Sequence, residues 1–252
     1  MCTSRWSNGS LCGNLGPKAM SAAEWAKMPK EWILREELAL RKDRTYQTEA
    51  IQAYKTFICI VLRANFHPNK EFERAGSAKI SYSQFELMTG ASRAVVAKGI
   101  ARLEEMELIE IDKSLNTNIY TLANYDTQGV SWAKLPKRYL LRAADTTVLA
   151  QFPTRQSITL HSLKLYLTLL SFQDRGRAST LLSYDSIRKY TGINRRFIAA
   201  AISNLAAHDL IHVRKGDVEP AGRQNPPNEY IIRGFGHWKS RDTVEFEYPK
   251  TT

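Results

Sequence analysis

Disulfide chemistry is the first thing this 252-residue chain lacks. Cys2, Cys12 and Cys59 form no Cys-x-x-Cys pair and leave an odd count, which speaks against a disulfide framework and for a reducing compartment. Cys59 lies inside the apolar run FICIVL and reads as a small core residue. There is no apolar span long enough to cross a bilayer and no signal-peptide core, so a soluble, cytoplasmic protein is expected. With no lipidation motif and no long basic amphipathic helix, no membrane partner is expected. Catalytic signatures are missing as well: there is no Walker-type phosphate loop, no GxGxxG and no His-hydrophobe-His metal motif with a nucleophilic Tyr. His208 and His212 have the spacing of a zinc helix, but HDLIH lacks the catalytic Glu, and His212 falls where a strand should begin. The adjacent Glu104 and Glu105 point in different directions on a helix and read as a solvated face. No enzyme, metal or cofactor is expected.

Acidic residues are the other shortage. Asp and Glu number 25 against 36 Lys and Arg, a net charge of +11, which favours a polyanionic partner, most simply nucleic acid. The excess is unevenly placed. Residues 21–127 carry 15 basic and 15 acidic side chains, whereas residues 128–252 carry 19 and 10. A content of 43% hydrophobic and 24% charged residues is ordinary for a protein with a real core.

What the chain does have is the same pattern twice. The segments EWAKMPKEWILR (24–35) and SWAKLPKRYLLR (131–142) share seven of twelve residues, and each precedes a dense apolar helix. Those helices are expected at about Thr48–Phe66 and Leu160–Phe172, as the spines of two domains. In the lead-in, Pro136 keeps Leu135 out of the helical region, so WAKLPK reads as extended, with its aromatics anchored in the core. Residues 71–79 and 175–180 read as links from each spine to a helix-turn-helix.

Those helix pairs are SYSQFELMTGASRAVVAKGIARLEEMELIEI (81–111) and SYDSIRKYTGINRRFIAAAISNLAAHDLIHV (183–213), each read as helix, tight turn, helix and strand. In the second copy Asn194 is placed to cap the second helix. Ile198, Ile202 and Leu205 give that helix a buried stripe, leaving Arg195 and Arg196 on the outer face. Alternating apolar runs, Leu108–Ile111 with Ile119–Leu122 and Leu210–Val213 with Glu229–Ile232, close each copy as a β-hairpin. The expected architecture is mainly α with small β-hairpins, an α+β chain of two tandem winged-helix domains made by internal duplication. Residues 1–20 read as a flexible tail, 21–127 as the first domain and 128–252 as the second. In the C-terminal stretch, Phe235, Trp238, Phe246 and Tyr248 could pack on the second domain or reach a partner.

Charge assigns the halves different work. The basic second domain is expected to grip DNA, since each phosphate neutralised releases counterions. The neutral first domain is read as the oligomerisation face or a weaker DNA contact. Winged helices also serve as pure protein-interaction domains, and that reading stays open for the first copy.

The second copy resembles the winged-helix domain of RepA-type plasmid replication initiators, through WAKLPKRYLL, LKLYLTLL, the 183–213 stretch and a hairpin ending NPPNEYII. The resemblance implies binding to double-stranded DNA at repeated origin sites, a homodimer, and recruitment of host replication proteins. Carried over by position, the DNA-contacting candidates are Asn194, Arg195, Arg196 and Ser203 on the helix, and Arg214, Lys215, Arg223 and Asn225 in the wing. Their counterparts in the first copy are Ser92, Arg93, Lys98 and Arg102. A transcriptional repressor or partition regulator on the same scaffold is the alternative, then a module for RNA or an acidic protein.

Overall fold

Local signals set most of the elements. The computed structural model describes residues 24–40, 46–125, 132–173, 178–214 and 227–235. In chain order the first half has β1 (Ala26–Pro29), α1 (Glu31–Leu34), α2 (Glu37–Leu40), α3 (Gln47–Arg63), β2 (Ser77–Lys79), α4 (Tyr82–Thr89), α5 (Arg93–Glu105), β3 (Ile109–Asp112) and β4 (Ile119–Leu122). The second has β5 (Trp132–Leu135), α6 (Lys137–Leu140), two 3₁₀ turns (Ala143–Asp145 and Val148–Gln151) and α7 (Ser157–Ser171). It continues with β6 (Ser179–Leu182), α8 (Tyr184–Thr191), α9 (Arg195–Ala207), β7 (Ile211–Arg214) and β8 (Asn228–Ile232). The chain is therefore mixed α+β with small antiparallel sheets, and the element order recurs with 3₁₀ turns in place of α2. No helix of the described residues is long and apolar enough to cross a membrane.

The spine helices are buried along nearly their whole length, from Ala50 to Leu62 in α3 and from Thr159 to Ser171 in α7. α3 stops at Arg63, earlier than the sequence pattern implied, where Ala64 turns to extended backbone. Each hairpin gains a third strand from a segment that sequence alone read as a link, giving sheets ordered β2-β4-β3 and β6-β8-β7. At three and four residues these strands are too short to display alternation. They are recognised by their partners, as where the Ser77 and Thr121 hydroxyls meet at 2.9 Å across β2 and β4.

Between the halves runs a seam with a local twofold character. β1 pairs antiparallel with β5, its own sequence echo, matching Ala26 with Leu135, Lys27 with Lys134 and Met28 with Ala133. Beside it Trp25 stacks on Trp132, with ring centroids 5.2 Å apart and planes 8° from parallel. α3 packs on α7, and the buried apolar residues of both halves form one continuous core.

The halves also exchange supports. Gly90, at φ +68°, closes α4 where an added Cβ would lie 2.7 Å from the Ala150 carbonyl oxygen of the 3₁₀ segment. Gly192, also at φ +68°, closes α8 where a Cβ would lie 3.0 Å from Ala39 in α2. Only glycine combines that left-handed backbone with so close an approach. Two buried lysines complete the exchange. Lys55 Nζ donates to the carbonyls of Thr89 (2.8 Å) and Phe152 (2.6 Å), and Lys164 Nζ donates to the carbonyl of Leu38 (2.7 Å). Thr147 Oγ1 donates to the Met88 carbonyl at 2.6 Å, and Lys189 pairs with Glu36 at 3.2 Å. An ammonium taken out of water is costly, and carbonyls left without a partner within their own short helices offset part of that cost.

Three predictions rest on these contacts. Replacing Lys55 or Lys164 by Met strands buried carbonyls and should lower stability by about 1–3 kcal/mol each. Urea unfolding should still show one transition, because the core is shared; two separate transitions would contradict the seam. Burial pushes Lys55 from its ordinary 10.5 down to about 8, partly opposed by Cys59, while burial raises the Cys59 thiol from 9.0 to about 12. Between pH 8 and 10.5 the unfolded chain holds a proton on Lys55 that the folded chain has lost, so this group makes stability rise with pH. Above pH 9 the unfolded chain loses the Cys59 proton that the folded chain keeps, so that group makes stability fall. Cys59→Ala should extend the rise toward pH 10.5 and Lys55→Met should abolish it, as read from urea midpoints across that range.

Candidate nucleic-acid interface

The α8–α9 corner is built by short-range bonds. Ser183 caps α8, its Oγ accepting from the Ser186 amide at 3.1 Å, and the Gly192 amide closes the helix by donating to the Arg188 carbonyl at 2.9 Å. Thr191 Oγ1 accepts from the Ile193 amide at 3.2 Å, fixing the turn. Asn194 caps α9 as its spacing implied, Oδ1 accepting from the Arg196 amide at 3.2 Å. Ile198, Ala201, Ile202 and Leu205 bury one face of α9, and Asn204 Nδ2 donates to Ser162 Oγ of α7 at 2.9 Å.

The opposite face of α9 is open to solvent at Asn194, Arg195, Arg196, Ala199, Ala200 and Ser203. Arg195 Nη1 pairs with Asp185 Oδ1 at 2.8 Å, and its guanidinium lies 5.6 Å from the centre of the Tyr184 ring. Arg196 lies over the ring of its neighbour Phe197 at 4.5 Å. The small Ala199, Ala200 and Ser203 leave the helix surface low between the arginines and its C-terminal end. Arg188 and Lys189 bring further positive charge on α8.

The first copy keeps the frame and changes the charges. A capping box joins Ser81 to Gln84, and Gly90 closes α4. Ser92 has an N-cap backbone but makes no side-chain cap bond. Arg93 lies over Tyr82 at 4.8 Å, as Arg195 lies over Tyr184. The other two candidates meet carboxylates of their own half. Lys98 pairs with Glu49 at 3.5 Å, and Arg102, its side chain only 16% exposed, pairs with Glu105 at 2.6 Å and lies over Tyr46 at 5.8 Å. Arg102 also sits nine residues from Arg93, about half a turn round the helix from it. The exposed residues of β3 are Glu110 and Asp112, where β7 has His212 and Arg214. Open concavities along this first sheet are lined by Glu71, Glu73, Glu110 and Asp112 together with Arg74, a lining poorly suited to a polyanion.

In the second hairpin Arg214 faces Glu229 across the β7–β8 pair and bonds it at 3.4 Å. The remaining wing candidates, Lys215, Arg223 and Asn225, lie outside the described residues, as do Trp238, Phe246 and Tyr248; Phe235 is buried in the core. His208 caps α9 with its ring 4.1 Å from that of Phe152, and His212 is in β7. Among the described residues no group of three metal-ligating side chains comes together.

Sequence reasoning passed over Tyr82, Tyr184 and Asp185. A signal was present: in both copies a Tyr opens the first helix eleven residues ahead of the Arg that opens the second. Compared with known proteins, the chain matches no family model and no curated protein.

The two caps differ in a way that stability can report. Asn194→Ala removes a side-chain bond to the helix and should cost about 1 kcal/mol, whereas Ser92→Ala removes none and should cost clearly less. Thermal unfolding of the two variants checks the order.

Proposed function

We propose that this chain is a sequence-specific double-stranded DNA-binding protein that initiates plasmid or phage replication by assembling on repeated origin sites. In this reading it is two tandem winged helices from an internal duplication, residues 21–127 and 128–252, and it works in the cytoplasm by binding rather than by catalysis. The observation that carries the DNA reading is the solvent-open face of α9: a capped N-terminus, Arg195 and Arg196 beside it, and small residues beyond. A helix of that profile fits closely into a major groove, with the arginines reaching base edges or phosphates. Ala199, Ala200 and Ser203 cannot read bases by bidentate hydrogen bonds, so the polar contacts fall to Asn194, Arg195, Arg196 and the wing.

The first copy is assigned the homodimer contact or a weaker DNA contact. Arg102 is largely buried, with its side chain 16% exposed, and the hairpin edge of this half is acidic, which supports that division. The replication role, with its host replication proteins, rests on the resemblance of the second copy to RepA-type initiators.

Arg195→Ala with Arg196→Ala should weaken DNA binding by about 2–6 kcal/mol together if both side chains reach base edges or phosphates. The check is selection of duplexes from a random pool, with gel shifts at moderate salt on the selected sites. An unchanged affinity rejects α9 as the reader. Iterated copies of the selected site beside an A·T-rich tract near the coding region support the initiator, and a single palindrome in a promoter indicates a repressor instead.

A further inference from the structure

Residues 184–207, which span α8, the turn and α9, contain four basic side chains and one acidic one, Asp185. Its position is unfavourable for plain affinity. Asp185 is 81% exposed, on the cationic corner that would face phosphates, and it pairs with Arg195, which is itself 59% exposed. A carboxylate there repels a polyanion and cancels the charge of the arginine it holds. In the first copy the same place is Ser83, and Arg93 has the tyrosine contact without a carboxylate beside it in sequence. The tyrosine is thus common to both corners and the acid belongs to the basic one.

We infer that Asp185 is a positioning residue for DNA specificity: it holds the Arg195 guanidinium against Tyr184 in a fixed attitude, trading general phosphate attraction for base discrimination. This rests on the reading of α9 as the DNA-contacting helix. An arginine guanidinium has five N–H donors in a rigid fork. The 2.8 Å bond to Asp185 engages Nη1, and the Tyr184 face limits where the plane can lie. Donors remain for the paired acceptors O6 and N7 of a guanine, the contact that a planar fork reads best. Without the carboxylate, Arg195 keeps its full charge and its rotamer freedom and takes whichever phosphate is nearest.

The test uses the full-length chain and Asp185→Asn, which keeps size and removes charge. Affinity is measured across a salt series for the duplex selected by the wild type and for a scrambled duplex of equal length. Asp185→Asn should bind the scrambled duplex several-fold more tightly, with a salt slope steeper by about one phosphate contact. The ratio of selected to scrambled affinity should fall by about tenfold, the loss expected when one bidentate base contact is no longer held in place. In an Arg195→Gln background the same substitution should still relieve the carboxylate's own repulsion of phosphate, but it should leave the ratio of selected to scrambled affinity unchanged. Wild-type ratio and slope in Asp185→Asn overturn the inference. So does a fall in that ratio that persists in the Arg195→Gln background, which would mean that Asp185 acts on selectivity without Arg195. If the wild type binds no duplex, the DNA reading falls and this inference falls with it. If the wild type selects a site and Asp185→Asn behaves identically, only the inference falls.

Discussion

Two ammonium groups buried at the seam hold this molecule's geometry. Lys55 in α3 bonds the end of its own α4 and, through Phe152, the 3₁₀ segment of the other half. Lys164 in α7 bonds the carbonyl of Leu38, the second residue of α2 in the opposite half. A charge in that position is tolerable only while its carbonyl partners stay put, so the bonds fix the relative placement of the halves more sharply than apolar contact would. Gly90 and Gly192 add a steric condition, because each lets one helix end approach the support lent by the other half.

This bears directly on the α8–α9 corner. α9 is placed by α7, and α8 by α7 and α2, so the attitude of Arg195 and Arg196 depends on residues more than 140 positions upstream. The first half therefore shapes the cationic face of the second even where it adds no charge of its own. Lys189 illustrates the coupling: its positive charge is on the cationic corner, yet Glu36 of α2 partners it.

How much of this could be read from the chain depends on the range of the forces involved. Gly192, Asn194 and the Ile198–Ile202–Leu205 stripe act over a few residues, so the turn, the cap of α9 and its buried face were legible. The apolar density around Cys59 likewise announced a buried spine. The exchanged supports were not legible, because the bond from Lys55 to Phe152 spans 97 residues and that from Lys164 to Leu38 spans 126. A lysine in the midst of FICIVL-like apolar helices was the one hint, and it names no partner. WAKLPK was legible as extended, but extended backbone does not say which strand it will join. Arg102 looked available from its spacing alone, and only the folded chain brings Glu105 and Tyr46 to it.

The β1–β5 pairing has a last consequence. Equivalent strands facing each other about a twofold are what an isologous contact between identical subunits looks like, and there every substitution must be tolerated in both copies at once. Within a single polypeptide that obligation disappears. The joint can keep its matched residues on both sides, Met28 against Ala133 and Ala26 against Leu135, while outlying positions diverge independently. Glu110 at the place that His212 takes in the other half, and Asp112 at that of Arg214, are such differences: one frame presenting two chemically unlike ends.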